Sequence, residues 1–192
     1  MSEIAKPIPD TRVDLKSVAP VGGAIKRLID IILSAVAIGL MLPLLVLCAV
    51  ATLLASGRPI IARHPRIGFR GRAFECFGFE TSAETRVTRL GAALRKAGLD
   101  DLPQLFNVLR GDMSIVGPQP ISCDEFDQYA DQAAAYLSCK PGITGLWRVY
   151  GKTSLLDRVN LDGNYARSWS PLLDAKIAIS TLCTALGSAA RR

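Results

Sequence analysis

The sequence predicts an α+β protein, mainly helical, in which an N-terminal membrane helix precedes a small domain held close to the membrane surface. Three observations predict this class. The run from Ile31 to Gly57 holds no charged residue over 27 positions, and as a helix it would be roughly 40 Å long, enough to cross the hydrocarbon core. Basic residues flank it on both sides, Lys26 and Arg27 before, Arg58, Arg63 and Arg66 after. The rest of the 192 residues alternates short strand-like and helix-like stretches.

Residues 1–20 are polar, contain Pro7, Pro9 and Pro20, and lack periodicity, which predicts a mobile tail. The membrane element follows at 21–57. Pro43 removes a hydrogen bond in its middle, and Gly39 loosens the turn before it. The positive-inside preference holds both flanks on one side, which suits a helix that dips into one leaflet and returns. Proline kinks also occur in ordinary spans, so both arrangements fit these residues. Asp30, four residues after Lys26, is placed to pair with it, as an anchor at the helix mouth or as an ordinary interfacial ion pair.

In the remaining domain, 58–192, residues 59–63 and 73–79 predict a strand pair around Ile67-Gly68-Phe69-Arg70-Gly71. Residues 87–97 place Val87, Leu90, Leu94 and Ala97 at helical spacing, with Arg89, Arg95 and Lys96 off the stripe. A helix is predicted from near Asp100 to Gly111. Another is predicted from Ser122, where Ser-Cys-Asp-Glu125 has capping-box spacing. Residues 145–150 (GLWRVY) suit a short strand, and 171–187 an apolar helix fit for the membrane interface.

Five cysteines, odd in number and scattered, do not form a disulfide scaffold, and His64 is the only histidine, too few for zinc. Walker loop, dinucleotide fingerprint and nucleophile elbow are absent, and a Ser or Cys nucleophile would have only His64 as its base. A net charge of +6 admits nucleic acid, an anionic membrane surface or a phosphorylated ligand. Without aromatic interleaving or a reading helix, nucleic acid drops out. Between Arg58 and Arg110 ten basic residues stand against five acidic ones, as suits headgroup attachment or a phosphate pocket.

Inside this basic stretch lies Leu99-Asp100-Asp101-Leu102-Pro103-Gln104. Adjacent carboxylates at a helix start suit capping. They also suit chemistry in which one attacks phosphorus and its neighbour holds Mg2+ on a diphosphate. Asp112 and Asp124 read as structural. Residues 117–120 and 141–145 are rigid turns, either loop punctuation or a wall around a pocket.

Taken in order, several segments resemble one family. They are Lys26-Arg27-Leu28-Ile29-Asp30, the apolar run with Pro43, Arg86-Val-Thr-Arg-Leu-Gly91 and Leu99-Asp-Asp-Leu-Pro-Gln-Leu105. Asn107-Val-Leu-Arg-Gly-Asp-Met-Ser-Ile-Val-Gly-Pro118, Pro141-Gly-Ile-Thr-Gly-Leu-Trp147, Leu161-Asp162, Tyr165, Trp169-Ser170 and Asp174-Ala-Lys176 continue the likeness. The family is that of the bacterial sugar transferases, the monotopic phosphoglycosyltransferases that begin polysaccharide assembly. The likeness covers about residues 22–187, and the flank Pro20–Lys26 with Phe74-Glu-Cys76 looks most like the ExoY-type, exopolysaccharide-initiating branch.

The resemblance implies a re-entrant helix broken at Pro43, with Lys26 and Asp30 anchoring its mouth, on the cytosolic face of the bacterial inner membrane. It implies that Asp100 attacks the β-phosphate of a UDP-sugar, expelling UMP, and that polyprenyl (undecaprenyl) phosphate then takes the phosphosugar. Asp101 would hold Mg2+. Arg86, Arg89, Arg95, Gln119, Arg148 and Lys152 would bind substrate, and a homodimer is compatible with it. The sequence departs from the family at several points. Asp101 replaces the usual Glu, Gln119 the usual Arg, and Leu42 the usual Ser before the proline. Glu80 in Gly78-Phe-Glu-Thr-Ser82 stands where a cation is expected, Arg148 stands where Gln is common, and the connector from Ser82 to Arg86 is short. Losing two cations weakens diphosphate binding, which Arg148 or Lys152 could offset. Two readings therefore stand: an active sugar-1-phosphate transferase, and a diverged, weakly active or inactive membrane-bound homologue with an interaction or regulatory role.

Overall fold

The computed structural model describes residues 20–83, 86–151 and 154–190; the expected N-terminal tail lies outside them, save Pro20. Helix α1 (Gly23–Ser56) is 34 residues long, long and apolar enough to cross a membrane by length and composition. Pro43 lies inside α1 without ending it, so the expected break is a lost hydrogen bond within one continuous helix. The buried positions Lys26, Asp30, Ser34, Leu45, Cys48 and Thr52 recur at helical spacing and form one stripe. The remaining surface is apolar and outward, with Leu40 72% and Leu54 82% exposed.

The chain then forms an antiparallel ribbon of β1 (Ile61–Ile67) and β2 (Ala73–Phe79), with Ile61 opposite Phe79 and Ile67 opposite Ala73. β1 begins later than the sequence reading and runs on through Pro65, which a two-stranded ribbon tolerates because one side of each strand is unpaired. The turn is Gly68–Arg72, and Arg70 there takes the left-handed conformation, φ 55° and ψ 29°. A short ladder of β3 (Ser82–Ala83) and β4 (Arg86–Val87) leads to α2 (Arg89–Ala97). The Thr88 hydroxyl caps α2 by accepting from the Gly91 N–H, and Gly98, at φ 69°, ends it; a left-handed residue is what turns the chain there.

Helix α3 (Gln104–Arg110) starts later than predicted. Pro103 disfavours the helical region for Leu102, so Asp100 and Asp101 occupy turns ahead of α3, closed by Leu102 N–H to Leu99 O and Gln104 N–H to Asp101 O. Gly111 stops α3 as expected. β5 (Ser114–Val116) pairs in parallel with β6 (Gly142–Thr144). Between them come α4 (Cys123–Phe126), a 3-10 segment at 127–132 and α5 (Ala133–Leu137). The Ser122–Glu125 capping box predicted from sequence is present at the start of α4. Gly117 and Gly142 lie so close that a Cβ on either would meet the other's backbone.

Residues 145–150 form no strand. After extended Gly145 they make one helical turn, α6 (Leu146–Val149). Strand propensity in GLWRVY is overridden because the β5 ladder ends at the Val116–Thr144 pair, and propensity counts only where a partner edge exists. α7 (Leu155–Ser168) and α8 (Pro171–Ala190) complete the chain. The largest core cluster gathers Ile67, Ile121, Phe126, Tyr129, Tyr136 and Leu137. Within it the Tyr136 hydroxyl donates to Ile67 O at 2.8 Å. All five cysteines are free.

The expected Lys26–Asp30 pair does not form. The Asp30 carboxylate instead accepts from the Ser114 hydroxyl at 2.9 Å and the Ile115 N–H at 3.0 Å. Lys26 pairs with Asp174 on α8, and Asp174 also accepts from Tyr165 and Trp169. Each charge thus finds a partner off its own helix. A pair within α1 would have left the β5 donors without their carboxylate and Asp174 without its cation. Arg27 closes the arrangement by donating to the Val108 and Leu109 carbonyls at the end of α3.

We expect Asp30→Ala to lose about 3 kcal/mol of stability, because a buried hydroxyl and a half-buried N–H lose a charged acceptor. Arg63→Ala, which breaks an exposed pair with Glu75, should lose less than about 1 kcal/mol. Unfolding in detergent checks the ranking, and equal losses would refute the buried clamp.

Candidate active site

Asp100 and Asp101 line a cavity of about 170 Å³ together with His64, Glu80, Arg95 and Gln104. The open end of the β1–β2 ribbon and the turn before α3 form its walls. The turn is fixed from behind by two elements. The Phe79 N–H donates to Asp100 O at 2.9 Å. Fully buried Asn107 of α3 accepts from the Phe77 N–H at 2.9 Å and donates to Glu75 O at 2.7 Å, bolting α3 to β2.

Neither carboxylate serves as a helix cap. The residue at the cap position of α3 is Pro103, with no side-chain cap bond. Asp101 Oδ1 accepts from the Gln104 side chain at 2.7 Å, and Asp101 Oδ2 lies 3.6 Å from Arg148 Nη1. Burial first, then the charge of Asp100, push the Asp101 carboxyl above the usual carboxylate range; Arg148 and, more weakly, His64 pull it back. Cys76, on the same wall, is pushed up to about 12 by burial and then by Asp101. It therefore stays a thiol and offers no nucleophile.

The structure brings Arg95 and Arg148 to the carboxylate pair. Arg148 is held by donating to Ile143 O at 3.1 Å and lies over the Trp147 ring. Arg89 is exposed on α2 and does not line the cavity. Gln119 is also away from the cavity lining: its side chain accepts from Arg158 Nη1 at 3.1 Å, and its N–H bonds Asp162. The Arg86 side chain and Lys152 lie outside the described residues. Gln104 and Asn107 were not singled out from sequence. Gln104 carried a signal in its three-residue spacing from Asp101, whereas Asn107 carried none, because its partners are backbone groups of a distant strand.

The bacterial sugar transferase family model matches residues 21–188. The chain belongs to that family. It is similar to the exopolysaccharide production protein ExoY of Rhizobium meliloti, 35% identical over 90% of this chain and 91% of that protein. It is similar to the UDP-glucose:undecaprenyl-phosphate glucose-1-phosphate transferase of Caulobacter vibrioides, 35% identical over 92% of this chain and 72% of that protein. The undecaprenyl-phosphate galactose phosphotransferase of Salmonella typhimurium is 34% identical over 82% of this chain, which corresponds to 39% of that longer protein.

For a sugar transferase, the donor set also bears on a metal. Asp100, Asp101 and Glu80 offer only oxygen ligands around one opening, the type a hard cation such as Mg2+ takes. Among the described residues, no three His, Cys, Asp or Glu side chains form a complete metal cluster. Mg2+ takes one or two carboxylates and fills its shell with water and phosphate oxygens. The raised Asp101 carboxyl is the group such a cation would relieve.

The sign of that shift gives a stability test. A carboxyl raised in the folded state is favourable below its unfolded value near pH 4, and the benefit is lost as pH rises through the folded value. We expect Asp101→Asn to unfold at a higher temperature than the parent at pH 7, with the gap closing toward pH 4. A variant less stable at pH 7 would refute the strain between the two carboxylates.

Proposed function

We propose that this sugar transferase moves a sugar 1-phosphate from a UDP-sugar to polyprenyl phosphate, the first membrane step of exopolysaccharide assembly. The observation that carries the proposal is the Asp100–Asp101 pair, which opens on a cavity beside Arg95 and Arg148 and is not used to cap the helix behind it. The named activities of the Caulobacter and Salmonella relatives support the donor and acceptor classes.

In the first half-reaction an Asp100 carboxylate oxygen bonds to the β-phosphorus of the UDP-sugar. The bond from that phosphorus to the bridging oxygen breaks, and UMP leaves with the oxygen and its electron pair. In the second, a phosphate oxygen of the polyprenyl phosphate bonds to the same phosphorus. Asp100 is released as a carboxylate, and polyprenyl-diphosphate-sugar is formed. Arg95 and Arg148 bind diphosphate oxygens, and Gln104 keeps Asp101 oriented. Asp101 would hold Mg2+, which when bound offsets the charge of the diphosphate.

We read α1 as re-entrant from the cytosolic face of the inner membrane. Both ends of its buried stripe rest on one body: Asp30 bonds β5, while Leu45 and Cys48 sit with Phe79 and Leu94. With a bend at Pro43 within the helix, this supports a helix that enters and returns on one side, with the carboxylate pair near the headgroups.

One observation favours the second reading, a weakly active or inactive homologue. Glu80 lines the same cavity and is held there by accepting from the Ser82 N–H at 2.9 Å, so a third carboxylate stands where a diphosphate must enter. The test measures UMP release from a panel of UDP-sugars with Mg2+ and undecaprenyl phosphate, using detergent-purified protein. Lipid-dependent release that falls about a thousandfold or more in Asp100→Asn is the expected result. Retained turnover in that variant would remove Asp100 as nucleophile. Absent release in the parent, with recovery in Glu80→Gln, would establish the second reading.

A further inference from the structure

A larger cavity, about 590 Å³, lies toward the other end of the β1–β2 ribbon from the carboxylate pair, between the ribbon turn, the first residues of α1 and the end of α3. Two internal rulers separate them. The ribbon carries the carboxylate cavity at Ala62–His64 and Cys76–Phe79 and the larger one at Gly68–Phe74. The nearest lining residues of the two cavities are His64 and Gly68, four positions apart, and Phe74 and Cys76, two positions apart on β2. α3 likewise presents Gln104 to one cavity, with Gly111 and Asp112 beyond its far end on the other.

The walls are cationic on one side and apolar on the other. Lys26 and Asp30 also line this cavity, but each is committed inward, Lys26 to Asp174 and Asp30 to β5. Asp112 lies 3.8 Å from Arg110. Arg27 donates to the Val108 and Leu109 carbonyls and Arg70 lies over the Phe69 ring, which leaves Arg72 and Lys140 as the cations offered to the space. Arg27 and Lys140 converge: a Cβ on Gly111 would lie 3.3 Å from Arg27 Nη2 and 3.6 Å from Lys140 Nζ. Among the described residues neither Lys140 nor exposed Arg72 has an ion-pair partner. Burial, then the charge of Arg27, lower the Lys140 ammonium, and Asp30 and Asp112 offset this only in part. Arg70, over the Phe69 ring, is held in the left-handed conformation. For a residue other than glycine this is a cost that clusters at ligand sites.

We propose that this cavity binds the phosphate of an anionic membrane phospholipid, a second anion site separate from the carboxylate pair. Phe69 and Phe74 supply an apolar wall beside the cations, which matches a phosphate attached to a hydrocarbon chain and not a free ion. Gly23, Ala24 and Arg27 of the first turns of α1 line it, and Ile25 and Leu28 on the same turns are 68% and 60% exposed, so the cavity lies beside the start of the apolar helix. The volume suits a glycerophosphate headgroup, and the excess of cations selects an anionic lipid over a zwitterionic one.

The test is native mass spectrometry of the full chain in detergent, titrated with short-chain phosphatidylglycerol, with short-chain phosphatidylcholine, and with inorganic phosphate as competitor. One phosphatidylglycerol should be retained per chain in preference to phosphatidylcholine. Lys140→Gln and Arg72→Gln should each weaken it about tenfold, while Arg63→Gln, an equal change of charge elsewhere, should not. Arg72 is exposed, so its variant tests the site without risk to the fold. Equal retention of the two lipids, or equal weakening by Arg63→Gln, would overturn the proposal. Displacement by inorganic phosphate at matching concentration would reassign the site to a soluble anion and so overturn the lipid. The readout is binding and not turnover, so its failure is distinct from failure of the transferase reading.

Discussion

Asp30 is the point from which the arrangement of this chain follows. It begins the uncharged part of an apolar helix and yet is 3% exposed, a position a carboxylate holds only when donors meet it. The Ser114 hydroxyl and the Ile115 N–H are those donors, and both belong to β5. The membrane helix is therefore registered against the one parallel strand pair of the described residues. Lys26, one turn earlier, does the same against α8 through Asp174, and Arg27 covers the carbonyl end of α3. Three consecutive anchors fix the rotation of α1 about its axis. That rotation decides which of its apolar residues face lipid and which, like Leu45 and Cys48, reach the elements around the carboxylate pair.

The carboxylate pair itself is held against its own repulsion. Burial raises the proton affinity of Asp101, and the charge of Asp100 adds to it. No helix cap offsets this. The restraint comes from Asn107, whose amide joins α3 to β2 in both directions, and from the bond between Phe79 N–H and Asp100 O. Backbone and amide bonds place the two acids where their charges alone would not keep them. A bound cation would relieve that repulsion, which is already present before any ligand arrives.

What was legible in the sequence was what local pattern controls. The apolar run, the Ser122–Glu125 capping box, the Gly111 stop and the acid pair ahead of Pro103 all depend on neighbours within a few residues. Where distant elements decide, the reading failed. Lys26 and Asp30 sit at the spacing of a helical pair, but the tertiary donors and acceptor near each outweigh an exposed i,i+4 pair, which contributes about 0.2–0.5 kcal/mol. GLWRVY has strand composition, but its chain leaves the ladder after Thr144. Asn107 was invisible because its function is to bind the backbone of residues some thirty positions earlier.

Gln119 shows how a departure from the family pattern changes meaning once neighbours are known. Read alone, it is a lost cation. In the fold, its side chain accepts from Arg158 on α7, and its N–H bonds Asp162, whose carboxyl burial raises to about 7. A guanidinium is thus present at this turn, carried by the helix behind it and oriented by the amide that took the arginine's place. An arginine at 119 would set two guanidiniums against each other unless Arg158 gave way. Gln119 and Arg158 therefore form one unit, and the charge of this turn belongs to the pair and not to position 119.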